Sequence, residues 1–212
     1  MIPPFPVYLF DVDGTLVDSA RDICGAIQDV LAATTQNSVE DGFLRKYIGR
    51  HLLDLFQDLF PGYTAAQIDD LIATYRRIYP VRNHSMTKLY TGVTEMLAGL
   101  GGRKSTATTK GTPTTRTVLE IFGLLPFFDH VQGTDGFPAK PEPDVIFTAL
   151  NALGASPVDC LFVGDSAADM EAGRRAGVKT CAVLYGYGER EDLAKWEPDY
   201  WISHPRELII RN

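Results

Sequence analysis

Short apolar runs that end in polar residues alternate with segments of helical periodicity along much of this chain. Residues 7–10 are apolar, and the run stops abruptly at Asp11. Such a run is typical of a buried strand in a parallel sheet. From about residue 88 onward, strand-like and helix-like segments alternate, and residues 160–165 form the clearest of the later predicted strands. Repeated β-α units with short connections predict an α/β fold, a Rossmann-like, mostly parallel sheet flanked by helices.

Proline and glycine residues mark the boundaries of the later predicted elements. One predicted helix has Pro113 in its first turn and Gly123 just past its end, and the next runs from Asp144 to Leu153. Proline at the start and glycine after the end are the usual asymmetry of helices. The predicted strands after the first cover residues 104–109, 130–134, 160–165, 179–184 and 200–203. Because residues 104–109 are polar for a strand, we expect them to be partly exposed or weakly packed.

Residues 16–87 break this rhythm because they contain no convincing strand. Apolar residues recur at helical spacing in residues 23–31, 43–59 and 68–79. We therefore predict that residues 16–87 form a helical cap, inserted into an α/β core made of residues 1–15 and 88–212. The cap starts directly after the first strand, so it is placed to act as a lid over the end of that strand.

Composition and charge restrict the class of partner. The 212 residues suffice for one large domain or a domain with an insert, and 45% of them are hydrophobic. The formal net charge of -7 disfavours binding to nucleic acid or to an anionic membrane, since either needs a basic surface. Small anionic substrates stay possible because they need positive charge only locally. Monomer and homodimer are both open.

The expected location is the cytoplasm. The N-terminus lacks the basic flank and long apolar stretch of a signal peptide. No run reaches the roughly 18 apolar residues that a membrane span needs. The cysteines at positions 24, 160 and 181 are far apart and form no CxxC pair, so we expect reduced thiols that serve as small core residues.

Two carboxylates, Asp11 and Asp13, close the first strand. Side chains two positions apart on a strand point the same way, so the two can converge just past its carboxyl end. Open α/β sheets bind their ligands at that edge. Two neighbouring carboxylates repel one another unless they share a cation or a proton. The pair therefore predicts a metal site, an acid–base role, or both.

Other polar residues are predicted at the same edge of the sheet. Thr108 ends the second predicted strand of the core, Asp165 ends the strand predicted at 160–165 with Asp169 four residues further on, and Lys140 lies in a loop. Several carboxylates with one hydroxyl and one ammonium suit a hard cation with oxygen ligands, most simply Mg²⁺, and a phosphate group held against it. The ammonium and the metal would offset the charge of the phosphate and the carboxylates.

Four motifs now stand in a defined order: Asp-Val-Asp-Gly-Thr at residues 11–15, a threonine at position 108, Lys-Pro-Glu-Pro at 140–143, and Gly-Asp-Ser-Ala-Ala-Asp at 164–169. Together they resemble the haloacid dehalogenase (HAD) superfamily, and most of all its phosphoglycolate-phosphatase-like hydrolases with a helical cap after the first strand. The resemblance covers essentially the whole chain. It implies a Mg²⁺-dependent phosphatase that acts on a small, phosphoglycolate-like phosphorylated metabolite.

The resemblance also implies catalytic and metal-binding roles. Asp11 would be the nucleophile that forms an aspartyl-phosphate intermediate. Asp13 would protonate the leaving oxygen and later deprotonate the attacking water. The metal would be bound by Asp11, by Asp165 and by Asp13 through its backbone carbonyl. Asp169 would not bind the metal directly but would hold a metal-bound water or Lys140 in place.

Phosphate binding would fall to Thr108, Thr109 and Lys140. Thr109 stands where family members often have asparagine or serine. This departure leaves open how the substrate is oriented on the cap side of the site. Arg50 follows Gly49 in a cap turn that resembles one that some members point at the substrate. It could grip a carboxylate or a second anionic group, or it could be an exposed arginine at a helix break.

Several alternatives stay open at this point. A turn at Asp13, a structural threonine at 108 and a helix-surface carboxylate at Asp169 are the ordinary explanations of single positions. A phosphomutase of the β-phosphoglucomutase kind would use the same core, although its typical cap signature is not found at residues 49–51. A catalytically silent binding module is disfavoured because every core catalytic position is filled. His84 is expected to be a surface or hinge histidine.

Overall fold

The computed structural model describes residues 2–34 and 39–209. The strands in these ranges are β1 (Val7–Phe10), β2 (Val17–Asp18), β3 (Lys88–Leu89), β4 (Arg103–Thr106), β5 (Cys160–Gly164), β6 (Lys179–Val183) and β7 (Tyr200–Ile202). Among them, β4, β1, β5, β6 and β7 form one sheet in that order, and all neighbours are parallel. β2 and β3 form a separate antiparallel pair. The predicted α/β class is confirmed.

Helices lie between β2 and β3 and again between the later strands. Those in the described ranges are α1 (Ala20–Leu31), α2 (Asp41–Arg45), α3 (Leu52–Leu59), α4 (Ala65–Val81), α5 (Val93–Gly99), α6 (Thr112–Ile121), α7 (Asp144–Ala152), α8 (Ala167–Ala176) and α9 (Arg190–Ala194). In this part of the chain, no helix combines the length and the apolar character that crossing a membrane requires.

The buried apolar side chains separate into a sheet side and a cap side. On the sheet side, Phe10 and Val163 belong to a cluster that also contains Leu16 and Val17. The cap side is a second cluster whose buried members all come from residues 20–79. Each fully buried side chain of this size contributes about 1.5–3 kcal/mol to folding. Leu16 and Val17 pack with the sheet although the sequence assigns them to the cap, so the change from sheet-side to cap-side packing lies a few residues inside the predicted cap. The division of the chain at residues 15–16 and 87–88 stays a prediction.

Strand β4 differs from its prediction in packing. Residues 104–108 of the predicted strand are buried and Thr109 is partly buried, so the expectation of partial exposure or weak packing is wrong for 104–108. β4 lies at the edge of the sheet. The Thr106 hydroxyl donates to the Gln132 carbonyl at 2.9 Å and accepts from the Gln132 amide at 2.8 Å. These bonds satisfy polar groups that burial would otherwise leave unpaired.

The predicted strand at residues 130–134 is wrong. The structure has only an isolated bridge there, between Ser105 and His130. The Thr106 side chain hydrogen-bonds both the amide and the carbonyl of Gln132, so these groups are not available for strand pairing. Residues 130–134 therefore cover the edge of β4 without forming a regular β-ladder.

A buried carboxylate ties α1 to the second crossing between cap and core. Asp22 is fully buried, and its Oδ2 accepts from the Met86 amide at 3.0 Å and the Thr87 hydroxyl at 2.7 Å. Its Oδ1 lies 3.8 Å from Nε of Arg82. The crossing is therefore anchored to the first cap helix by a charge that is shielded from water.

His84 lies on the same crossing and is buried, so the expectation of a surface histidine is wrong. Its ring packs edge-on against Tyr79, with 5.2 Å between ring centroids. This burial lowers the pKa of His84, and nearby Lys110 lowers it further. The backbone at His84 has a φ of 52°, so a hinge at this position stays a prediction.

We expect Asp22→Ala to destabilise the protein. Each buried donor left without a partner costs about 1–3 kcal/mol. The midpoint of urea unfolding should fall accordingly. Asp29→Ala is the matched control, because Asp29 pairs with the same Arg82 at 2.7 Å but is half exposed; such a pair contributes about 0–1 kcal/mol. Equal losses in the two variants would contradict the anchoring role of Asp22.

Candidate active site

The end of β1 turns sharply and brings Asp11 and Asp165 together. The Asp11 amide donates to the Val163 carbonyl at 2.9 Å, which holds it beside the end of β5. Gly14 has a φ of 86°, and a Cβ there would lie 2.1 Å from Oδ2 of Asp165. Only glycine fits both the backbone conformation and the space. The Asp-Gly turn therefore lets the Asp165 carboxylate approach the chain that carries Asp11 and Asp13.

Lys140 lies at the centre of this group. Its Nζ is 2.9 Å from Oδ1 of Asp11, contacts Oδ1 of Asp169 and donates to the Ala107 carbonyl at 3.1 Å. Its side chain is completely buried. Burial alone would lower the pKa of Lys140, but Asp11 and Asp169 more than offset it, and the pKa is raised overall. Lys140 is therefore a permanently charged partner of both carboxylates.

Three buried carboxylates converge around Lys140. Asp11, Asp165 and Asp169 each offer an oxygen, and these oxygens lie within 4.8 Å of one another. Burial raises the pKa of Asp11 to about 6, although Lys140 opposes this. Burial also raises the pKa of Asp165 well above its usual range, and the neighbouring Asp169 and Asp11 add to the shift. One ammonium does not neutralise this concentration of negative charge.

The donor set fits a hard divalent cation. Oδ2 of Asp11 is buried and makes no hydrogen bond with any residue that the structure describes. A buried carboxylate oxygen without a partner is costly unless a cation or a ligand satisfies it. Carboxylate oxygens are the preferred ligands of Mg²⁺ in proteins. Asp11 and Asp165 would therefore hold such an ion, and it would offset the charge of the cluster.

Asp169 is committed to other partners. Its Oδ2 accepts from the Ser166 amide at 2.9 Å, and its own amide donates to the Ser166 hydroxyl at 3.2 Å, which together form a capping box at the start of α8; the Ser166 hydroxyl also donates to Oδ2 at 2.6 Å. Its Oδ1 accepts from Lys140. The structure thus places Asp169 on Lys140, one of the two partners considered for it, while its supporting role stays a prediction.

Asp13 lies apart from this trio and has partners of its own. The Ser19 hydroxyl donates to its Oδ1 at 2.5 Å, and Nζ of Lys110 lies 3.1 Å from its Oδ2. Lys110 in turn donates to the Tyr79 hydroxyl at 3.0 Å. The Asp13 carboxylate is therefore held by one group at the start of α1 and by another that is bound to α4. Its predicted metal contact, through the backbone carbonyl, stays a prediction.

Thr108 and Thr109 lie just beyond the end of β4. Thr108 is buried, and its hydroxyl accepts from the Lys110 amide at 3.4 Å, while its carbonyl accepts from the Thr134 hydroxyl at 2.9 Å. Thr109 is partly buried. The Lys140 ammonium binds the carbonyl of neighbouring Ala107. The three predicted phosphate-binding residues are therefore brought to one edge of the sheet, and their role stays a prediction.

A cavity of about 530 Å³ opens between the cap and the sheet. Among the predicted site residues, Asp13, Thr109 and Arg50 line it, whereas Asp11, Thr108, Lys140 and Asp165 are not part of its lining. Other cationic side chains in its wall are Lys110 and Arg76. A Cβ at Gly49 would lie 3.3 Å from the Ser166 side chain, so the turn that carries Arg50 approaches the core closely.

Sequence reasoning missed the partners of Asp13 and a loop after β6. Tyr187 lies between Gly186 and Gly188, and its amide donates to Oδ2 of Asp165 at 2.8 Å. A Cβ at Gly186 would lie 2.3 Å from Cβ of Asp165. A Gly-Tyr-Gly tripeptide after a strand end was a usable signal, because such glycines often mark a close backbone approach. Lys110 directly follows the predicted strand 104–109 and was the second usable signal.

Comparisons with known proteins agree with this geometry. Residues 8–183 match the family described as haloacid dehalogenase-like hydrolase. Phosphoglycolate phosphatase of Aquifex aeolicus is 34% identical over 207 residues, covering 96% of this chain and 94% of that protein. Pyrophosphatase PpaX of Halalkalibacterium halodurans is 30% identical over 213 residues, covering 95% and 94%. The structure of a haloacid dehalogenase-like family hydrolase from Streptococcus pneumoniae has a TM-score of 0.88 at 28% identity and covers 96% of both chains.

Proposed function

The chain belongs to the haloacid dehalogenase-like hydrolase family, and from this premise we propose that it is a Mg²⁺-dependent phosphatase that works through an aspartyl-phosphate. The observation that carries the proposal is the environment of Asp11. Its buried carboxylate has one oxygen on Lys140 and a second oxygen that lacks a hydrogen-bond partner among the described residues. An oxygen held this way is oriented and has no hydrogen bond that would have to be broken before it attacks an electrophile.

The proposed reaction has two halves. In the first, Oδ2 of Asp11 forms a bond to phosphorus, the bond from phosphorus to the leaving oxygen breaks, and Asp13 gives that oxygen a proton. In the second, Asp13 takes a proton from water, the water oxygen bonds to phosphorus, the bond from phosphorus to Oδ2 of Asp11 breaks, and inorganic phosphate leaves the regenerated Asp11 carboxylate. A bound Mg²⁺ would offset the charge that accumulates on the transferring group. Asp13 lines the cavity, so it can exchange protons with a substrate there.

Lys140 is proposed to hold both Asp11 and the phosphate. Its contact with Asp11 fixes the nucleophile, and its permanent charge reduces the repulsion between a carboxylate and a phosphate dianion. Thr108 and Thr109 are proposed to donate hydrogen bonds to the phosphate oxygens. Lys140 binds the carbonyl of Ala107, which places the ammonium beside the segment that carries both threonines.

The proposed substrate is a small phosphorylated metabolite with a second anionic group, as in phosphoglycolate. The cations Arg50, Arg76 and Lys110 line the cavity next to Asp13, which suits a ligand with negative charge away from the reacting phosphate. The named relatives differ in substrate, since one is a phosphoglycolate phosphatase and another a pyrophosphatase. A cytoplasmic location and a monomeric or homodimeric state stay predictions.

The proposal is tested by a panel of phosphate esters of small metabolites with Mg²⁺, followed by release of inorganic phosphate. We expect hydrolysis of several esters and the highest kcat/KM for one that carries a second anion. A sugar phosphate that isomerises before free phosphate appears would favour the phosphomutase alternative. Absence of turnover across the panel, from a folded protein with Mg²⁺, would contradict the phosphatase and favour a binding module.

Metal binding should be visible without any substrate. If Asp11 and Asp165 hold Mg²⁺, the folded state gains about 2.7 kcal/mol when free Mg²⁺ is 100 times its Kd. For a chain of this size, Tm rises by about 2–4 °C per kcal/mol. Asp165→Asn should lose most of this Mg²⁺-dependent shift, while the control Asp192→Asn, at an exposed ion pair, keeps it. A shift of the same size in Asp165→Asn would show that the ion binds elsewhere.

A further inference from the structure

The start of α1 departs from the usual rule for helix caps. Ser19 occupies the N-cap position, where a serine side chain normally accepts a hydrogen bond from an amide of the first turn. Here it makes no such bond. Its hydroxyl donates instead to Oδ1 of Asp13 at 2.5 Å, and both side chains are buried. The hydroxyl that would stabilise the helix is therefore used on the carboxylate.

The hydroxyl of Tyr187 holds the backbone at the start of α1. It accepts from the amide of Ser19 at 2.7 Å and from that of Ala20 at 3.0 Å, and it donates to Oδ1 of Asp18 at 2.9 Å. One donor and two acceptor positions are all that a phenol offers, so its hydrogen-bonding capacity is filled. Burial raises the pKa of Tyr187, so the hydroxyl keeps its proton at neutral pH.

Tyr187 reaches this position because its loop is held against the metal-binding edge. Its own amide donates to Oδ2 of Asp165 at 2.8 Å. At Gly188 a Cβ would lie 2.0 Å from the Asp165 carbonyl oxygen, so the loop approaches more closely than a larger residue permits. The tyrosine ring also packs against the apolar cluster of the cap. A single residue therefore connects Asp165, the start of α1 and, through α1, the Asp13 carboxylate.

We propose that Ser19 is a positioning residue for Asp13, and that Tyr187 supports it by holding the Ser19 backbone through the amides of Ser19 and Ala20. The inference rests on the proposed function, in which Asp13 protonates the leaving oxygen. With Oδ1 fixed by the Ser19 hydroxyl, the carboxyl group is held in one orientation. Oδ2, which faces Lys110 in the cavity wall, is then the oxygen that carries the proton to the substrate.

Comparing substrates with different leaving groups distinguishes two roles for Ser19, the positioning of Asp13 and a general contribution to the structure. An alkyl phosphate expels a strongly basic alkoxide and needs the proton, whereas p-nitrophenyl phosphate expels a weakly basic phenolate and needs it far less. The parameter to measure is kcat/KM, since it includes only steps up to departure of the leaving group. General acids contribute about 10²–10⁴-fold. We expect Ser19→Ala to lower kcat/KM about 10- to 100-fold for the alkyl ester, a part of that contribution, and less than about threefold for the aryl ester.

Two further variants test the link to Tyr187. In Tyr187→Phe the amides of Ser19 and Ala20 lose their acceptor. The Ser19 backbone is then held less firmly and its hydroxyl is oriented less well toward Asp13, so the alkyl ester should again lose more than the aryl ester. Ser19→Thr keeps a hydroxyl and should restore most of the alkyl activity. The control is Thr64→Ala, which removes a side chain that does cap its helix, at the start of α4. It should lower Tm and leave the ratio of the two kcat/KM values unchanged.

The outcomes are distinct. Equal losses for both esters in Ser19→Ala, or no loss, overturn the positioning role, and an unchanged ratio in Tyr187→Phe overturns the supporting role of Tyr187. If Ser19→Ala does not fold, Ser19→Thr and Tyr187→Phe decide: the inference requires a near-normal ratio in the first and a reduced alkyl activity in the second. If the wild-type protein hydrolyses neither ester with Mg²⁺, the proposed function itself fails, and this inference fails with it.

Discussion

Replacing Asp11 by asparagine should lower kcat/KM for p-nitrophenyl phosphate at least about a thousandfold, which corresponds to about 4 kcal/mol of lost transition-state stabilisation. The neutral amide is a far poorer nucleophile than a carboxylate. The fold should survive, because a neutral group suits a buried site that already raises the pKa of Asp11 to about 6. The measurement is steady-state phosphate release with saturating Mg²⁺, with Tm recorded on the same samples.

The matched control for this prediction is an aspartate remote from the edge of the sheet. Asp192 is half exposed and pairs with Lys195 on α9, so Asp192→Asn should leave kcat/KM unchanged. A variant Asp11→Asn that folds normally and retains more than about a tenth of wild-type activity would exclude Asp11 as a covalent nucleophile.

Replacing Lys140 by methionine should have the second-largest effect, on both activity and stability. Methionine keeps the approximate length of the side chain but removes the charge that Asp11 and Asp169 share. Removing one partner of a buried ion pair costs about 3–5 kcal/mol, because the remaining charge is left uncompensated. Urea unfolding without added Mg²⁺ measures this loss. Activity should fall at least about a hundredfold, since one misplaced catalytic group costs that much.

A second substitution tests the electrostatic cause. Adding Asp169→Asn to Lys140→Met removes one of the uncompensated carboxylates, so the double variant should be more stable than the sum of the single changes predicts. Lys195→Met is the exposed control and should change stability by less than about 1 kcal/mol. If Lys140→Met is as stable as the wild-type protein, the ammonium is not needed to balance the buried carboxylates.

The central residues of the candidate site can be predicted from the local sequence. Asp11 and Asp165 each follow a run of apolar residues, and parallel strands bring such ends to one edge. Lys140 could be placed there through its motif, although its loop has no periodicity. The family and the α/β class followed from the same features, and both are confirmed.

The partners of Asp13 could not be read from the sequence for a physical reason. Ser19 resembles an ordinary helix cap, and only its geometry shows that the hydroxyl points elsewhere. Tyr187 acts on a segment 167–169 positions away, so no local pattern reports its contacts. The strand predicted at residues 130–134 failed for a related reason, because the Thr106 side chain replaces a backbone ladder and hydroxyl contacts of this kind leave no trace in periodicity.

The β2–β3 pair has a consequence for how this architecture diversifies. Val17 lies opposite Leu89 and Asp18 opposite Lys88, so the chain leaves and re-enters the sheet domain at neighbouring points. Because its two ends are adjacent, the helical insert can be exchanged as a module without changing the sheet. A different substrate-binding cap can then be combined with the same catalytic residues. The graft junction cannot lie at residue 18, however, because Ser19 serves Asp13. A functional chimaera should keep the native chain through the first turn of α1.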